Sequence, residues 1–216
     1  MRTTSESRRA RIMAVALEEF TATGFDGTSM TQIAAHVGGS KATLYSYFGS
    51  KDELLEQSLL GYGKRAAQEL SQLLSASGDF RTDLMYFITA LLKRLYSPET
   101  IGILRLAISV GKTSDVACRF HQTGTSDLWH NVAFLLRGEI AKGRLRDEDP
   151  YVMSRYLRTL CKADLISVLM GAYEPMIDEE AEHIAFEVAE LFVRAYGNVE
   201  AVAKSQVCKG EWLENE

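Results

Sequence analysis

Apolar side chains recur every three to four residues along almost the whole chain, and no stretch alternates convincingly with the period of two that a strand needs. Met13, Ala16, Leu17 and Phe20 form one stripe, which predicts an amphipathic helix over about residues 6–23 that ends at Gly24. Ser29-Met30-Thr31-Gln32 reads as a capping box and opens a short helix to Val37. Gly38-Gly39 breaks that helix, and Ser40 caps a second short one from Lys41 to Phe48. Ser50-Lys51-Asp52-Glu53 is a further capping box and starts a longer helix. Two short helices joined by a glycine-containing turn of three residues form the helix-turn-helix pattern.

Beyond residue 60 the helices lengthen. Leu84, Phe87, Ile88, Leu91, Leu92 and Leu95 make one stripe, stopped at Ser97-Pro98, and Ile101 to Val110 makes the next. One long helix is expected from Asp115 to Lys142, with Gly124 as a point of irregularity. Asp149-Pro150 starts another that runs to about Ala172, and Asp178-Glu179-Glu180 opens the last, ending at Gly197-Asn198. The expectation is an all-α chain of about nine helices. It comprises a three-helix helix-turn-helix domain over residues 1–55, a helical ligand-binding and dimerisation domain over 56–198, and a polar tail over 199–216.

In the helix-turn-helix, Ile33, Ala34, Val37, Leu44 and Phe48 hold the short helices against the first one. Lys41, Ala42, Tyr45 and Ser46 fall on the other side of the second short helix, where they could reach bases. Charge changes this picture in one respect. Lys and Arg number 24 against 29 Asp and Glu, a net charge of −5, so sequence-independent coating of nucleic acid is excluded. Residues 1–60 hold six basic and seven acidic groups, with Arg2, Arg8, Arg9 and Arg11 clustered before the first apolar stripe. DNA affinity should therefore come from short-range fit, with a modest salt dependence.

These residues resemble the tetracycline-repressor (TetR) family of one-component transcriptional regulators. The resemblance rests on Ile12 to Phe20 with Gly24-Phe25, Thr28-Ser29, Ile33-Ala34, Gly38-x-Ser40-Lys41-x-Thr43-Leu44-Tyr45-x-Tyr47-Phe48, and Lys51-x-x-Leu54-Leu55. Gly143-Arg144-Leu145-Arg146 with Asp149-Pro150, and Leu104-Arg105-Leu106-Ala107, look like one C-terminal subgroup. By position the resemblance implies DNA-facing roles for Thr31, Ser40, Lys41, Ala42, Thr43, Tyr45, Tyr47 and Lys51. Lys51 would meet a phosphate. Gly39 departs from the family, which carries a small apolar residue there; losing that contact is expected to loosen the turn.

The resemblance further implies a homodimer on a double-stranded inverted-repeat operator, with an inducer pocket in the C-terminal domain. Helices apolar on more than one face suit a partner, and Leu165, Leu169, Phe186 and Val193 are the expected interface. Phe87, Leu91, Leu104, Ile108, Phe120, Trp129 and Phe134 are the expected pocket, for an apolar or aromatic small molecule. The alternative is a DNA-binding regulator controlled by a protein partner or by thiol oxidation.

Catalysis finds no support. Gly111-Lys112-Thr113 ends like a phosphate-binding loop, but Leu106 stands where that loop needs glycine. Gly38-x-Ser40-x-Ala42 lacks the last glycine of a nucleophile elbow. Cys118, Cys161 and Cys208 are widely spaced, and no histidine pairs with another histidine or a cysteine at ligand spacing, so neither metal nor cofactor is expected. No apolar run approaches the ~20 residues of a membrane span, and the expected location is the cytoplasm.

Overall fold

The computed structural model describes residues 2–75, 79–112 and 114–198. The 199–216 tail, Cys208 and Thr113 lie outside them. Among the described residues there are eleven α-helical segments: α1 (Arg2–Thr23), α2 (Met30–Val37), α3 (Lys41–Tyr47), α4 (Lys51–Ser71), α5 (Phe80–Leu95), α6 (Pro98–Val110), α7 (Val116–Phe120), α8 (Asp127–Ala141), α9 (Pro150–Leu160), α10 (Leu165–Leu169) and α11 (Asp178–Tyr196). A 3-10 turn follows α4 and a π-helical turn, His121–Ser126, joins α7 to α8. The one β-type pairing among them is an isolated bridge between Leu145 and Gly197.

Two expected helices are each divided in two, which turns nine into eleven. Between Asp115 and Lys142 the break is the π turn around Gly124. A Cβ there would stand 2.9 Å from backbone atoms of Gly63, so the wider turn accommodates a main-chain crossing with α4. The Asp149–Ala172 helix breaks after Leu160. Tight i→i+3 bonds from Lys162 to Thr159 and from Leu165 to Lys162 replace the α pattern. The Tyr96 hydroxyl meanwhile reaches the Cys161 carbonyl at 3.4 Å. α1 begins at Arg2, and α6 begins at Pro98, where proline's missing N–H costs nothing.

The chain forms two compact units: residues 1–67 with 98–126, and residues 68–97 with 127–216. The expected domain boundary at 55 falls inside α4, and the first unit also holds α6 and α7. Its core joins Ile12, Ala16 and Phe20 of α1 to Ile33, Leu44, Phe48, Leu54, Leu59, Ile103 and Leu106. A buried hydrogen bond of 2.6 Å joins Tyr62 and Thr100. In the second unit α5 packs on α11 and α8 on α9. Phe87 and Trp129 meet edge to face at 6.1 Å, and the buried Ser154 hydroxyl donates to the Trp129 carbonyl at 2.9 Å.

Candidate DNA-binding surface

Local chemistry sets both ends of α2. The Gln32 N–H donates to Ser29 Oγ (3.2 Å) and the Ser29 N–H to Gln32 Oε1 (2.8 Å), a complete capping box. Gly38 ends the helix at φ 74°, with its N–H turned back to α2 carbonyls. The Thr43 N–H then donates to Ser40 Oγ at 3.1 Å and starts α3. The buried side of α3 is Leu44 at 0% exposure, with Phe48 at 1% just after it. Lys41, Ala42, Tyr45 and Ser46 are exposed on the rest of the helix.

Arginines of α1 hold this turn. Arg8 Nη2 donates to the Gly38 carbonyl at 3.2 Å, and the same atom lies 3.0 Å from where a Cβ on residue 39 would stand. The absent side chain of Gly39 thus makes room for a guanidinium. The turn that was expected to be loosened is tied to α1. Arg9 Nη1 donates to the Tyr47 carbonyl at 2.9 Å, the guanidinium also bonds Gln57, and it stacks 4.4 Å from the Phe48 ring centroid. Gln57 in turn donates to Glu53 (2.8 Å), which accepts from the Gly49 N–H (2.8 Å) just before the Ser50 cap of α4. One polar chain therefore fixes the exit of α3 between α1 and α4. By charge alone Arg9 is one of four cations ahead of the first apolar stripe. Its spacing of three and four from Ile12 and Met13 is the sequence signal that it belongs to the inward face.

The residues expected to face DNA divide by what they touch. Lys41, Ala42 and Tyr45 are exposed, Tyr45 at 44%, and the Lys41 ammonium lies 5.8 Å from the Tyr45 ring. Thr31 is exposed in the first turn of α2. The Ser40 and Thr43 hydroxyls bond each other at 2.9 Å at the start of α3. Tyr47 is half-buried against the core. Lys51 lies apart in its chemistry. Its ammonium donates to the carbonyls of Phe25 (2.8 Å) and Thr28 (3.0 Å) and sits 4.3 Å from the Phe25 ring, so it braces the link between α1 and α2. The Thr28 hydroxyl supports the same link through the Gly24 carbonyl at 2.8 Å. His36 pairs with Glu19 of α1 at 2.6 Å.

Residues 12–57 match the model for bacterial regulatory proteins of the tetR family, and residues 82–198, over half the chain, match that of the AefR-like transcriptional repressor C-terminal domain. The chain belongs to the TetR family. This TetR-family regulator is 34% identical over 80 residues to the DNA-binding transcriptional repressor TetR of Mycobacteroides abscessus, a match covering 37% of this chain and 40% of that one. In fold it is similar to a TetR-family transcriptional regulator from Mesorhizobium loti, with a TM-score of 0.82 and 22% identity over 90% of this chain and 98% of the other. It is similar also to a transcriptional regulator from Saccharomonospora viridis in complex with choline, with a TM-score of 0.70 and 20% identity over 90% and 99% of the two chains. The family is one of DNA-binding regulators and not of enzymes.

The expected pocket residues of this TetR-family chain fall in both units. Phe87, Leu91 and Trp129 are buried in the core of the second, where Phe134 is 77% exposed. Leu104 and Phe120 are half-buried and Ile108 is 60% exposed, all in the first. Of the expected interface residues, Leu165, Leu169 and Phe186 are half-buried, whereas Val193 is 2% exposed and packs inside its own unit. Burial pushes the Cys161 thiol up to about 12, and Cys118 is exposed. Among the described residues no helix is long and apolar enough to cross a membrane, and no group of three or more His, Cys, Asp or Glu is placed to hold a metal.

Proposed function

We infer that this protein represses transcription as a homodimer on an inverted-repeat operator and releases it when a small molecule binds the second unit. The observation that carries the reading is α3. It is a two-turn helix with Leu44 buried, Lys41, Ala42 and Tyr45 outward, and with the turn before it and its last residue tied to α1 by arginine. Such a helix can enter a major groove and present side chains to base edges. Lys41 and Tyr45 contact bases or base methyls, while Thr31, Ser40, Thr43 and Tyr47 position the backbone. Lys51 acts by bracing the helix pair, with its remaining N–H available to a phosphate.

The dimer reading is supported by apolar side chains that the second unit leaves outward: Ile166 at 71%, Met170 at 80%, Tyr156 at 49% and Leu191 at 52%. Together with Leu165, Leu169 and Phe186 they supply a self-complementary seam, and two-fold symmetry there requires a palindromic operator. Control by thiol oxidation is disfavoured at Cys161, where burial suppresses the reactive thiolate. A small-molecule effector accords with the choline complex of the structural neighbour. To act, the effector must bind better to a state whose two reading helices are wrongly spaced.

Selection from a random duplex pool with the full-length protein tests this reading. Enriched sequences should be inverted repeats bound at a stoichiometry of two chains. Enrichment of single half-sites by a monomer, or no enrichment at all, would overturn it.

A further inference from the structure

The second unit contains a cavity of about 430 Å³ between the end of α4, the start of α5 and the last turns of α8, within the ~300–1,000 Å³ span of small-molecule sites. Leu74, Phe80, Phe134 and Leu135 give it apolar walls. Two carboxylates, Asp83 and Glu139, give it a polar floor, and each residue is 5% exposed.

A buried carboxylate is costly unless donors satisfy both oxygens. Glu139 Oε1 accepts from the Lys142 ammonium at 2.7 Å. Arg144 Nη1 stands 3.1 Å from Oε2 but off the angle of a hydrogen bond, and Oε2 receives none. The cavity thus contains a buried carboxylate oxygen that is ion-paired with Arg144 but accepts no hydrogen bond. The acids are fixed deep, whereas Lys142 and Arg144 have side chains 57% and 40% exposed on flexible stems. Asp79, one turn before Asp83, adds a third acid within electrostatic reach of Arg144, and Arg81 is committed to Glu190. An anion entering here would face buried carboxylates. A cation would compete with Lys142 and Arg144, which also line the cavity but whose side chains are about half open to solvent.

We propose that this cavity binds an organic cation with N–H donors on an apolar ring-sized body. The charged head sits between Glu139 Oε2 and Asp83, and the body lies against Phe80 and Phe134. Phe134, at 77% exposure, is then the flap of the site and not a core residue. The proposal rests on the effector reading above and narrows it, because a purely apolar ligand would leave Glu139 Oε2 without a hydrogen bond.

Isothermal titration of the full-length protein tests the proposal with benzylamine, benzamidine and tryptamine, each compared with its uncharged alcohol or amide and its carboxylate counterpart. The nitrogen cations should bind about tenfold or more tightly than those counterparts. Glu139→Gln should remove that preference. Phe134→Ala, on an exposed side chain, should weaken binding severalfold with the fold intact. Lys142→Ala should tighten binding of the cations by removing a competing charge. If cations bind no better than their counterparts, or if Lys142→Ala weakens them, the proposal is overturned, even should Glu139→Gln fail to fold. A selected operator duplex in parallel separates the two readings. Cation binding with this variant pattern but no DNA release upholds the site and sinks the effector role. Release by the alcohols or carboxylates alone sinks the cation site and leaves the effector role standing.

Discussion

The two units hold their polar groups in different ways. In the first, most ties are short in sequence: Ser29 with Gln32, Ser40 with Thr43, and Ser50 with Glu53, each three residues apart. Its cations Arg8, Arg9 and Lys51 reach further, to backbone carbonyls 30, 38 and 26 positions away in the turns that these caps define. In the second, the ties reach far along the chain, as in Arg81 with Glu190, Lys93 with Glu182 and Ser154 with Trp129. It keeps carboxylates buried in a cavity wall. Dense local capping makes a reading head with one shape. The second unit joins distant segments by such pairs and, away from them, leaves a cavity beside α8.

The largest expected effects separate these two kinds of tie. Arg81→Ala takes a guanidinium from the buried Glu190 carboxylate, whose side chain is 6% exposed, and should cost about 3 kcal/mol in urea unfolding. Leu44→Ala, at a site of 0% exposure, should cost about 3 kcal/mol by cavity formation and lower DNA affinity with it. If Arg81→Ala proves as mild as an exposed pair, the contrast between the units fails.

Next comes the main-chain crossing of α4 with the π turn. Gly124→Ala places a Cβ 2.9 Å from backbone atoms of Gly63, which cannot swing aside, and should cost about 2 kcal/mol. Gly138→Ala in α8, where a Cβ meets nothing within 4 Å, should instead stabilise by about 0.5–1 kcal/mol. Equal outcomes for the two would refute the account of the split helix.

A smaller effect tests the arginine tie. In Gly39→Ala the new Cβ meets the end of Arg8 at 3.0 Å and Thr43 Cβ at an ordinary 3.9 Å, so Arg8 gives way. Stability should change by less than about 1 kcal/mol, while operator affinity falls severalfold because the turn loses its link to α1. Unchanged affinity would return Arg8 to the status of a solvated charge.

A further effect, confined by pH, is at the start of α5. Hydrogen bonds from the Thr82 hydroxyl and N–H hold the Asp79 carboxyl below its usual 3.8. A carboxyl lowered in the fold stabilises above its unfolded value and loses that contribution as pH falls through the folded one. Asp79→Ala should thus cost about 1 kcal/mol at neutral pH, and the difference from the parent should close in acid below 3.8.

What the sequence discloses follows the same division. Caps are residue types at fixed short spacings, so α2, α3 and the start of α4 could be placed from Ser29, Ser40 and Ser50 alone. The outward set on α3 followed from the period that buries Leu44. The role of Arg8 at Gly39 was hidden, because the two are thirty-one positions apart and only folding shows what fills the space of a missing side chain. Gly124 was visible as an irregularity, yet its cause, Gly63, lies on another helix. The candidate pocket was the least legible part. Phe87 and Trp129 pack on each other, while the cavity draws on Asp83 and Glu139, two acids that no sequence motif singles out.

The most direct test of the account is the affinity of the Lys41→Ala/Tyr45→Ala variant for the duplex selected by the parent protein, measured beside its unfolding midpoint. The account predicts at least about a tenfold loss of binding, with the midpoint unchanged within about 2 °C, because both side chains are exposed. Retained affinity, or a loss matched by unfolding, would contradict it.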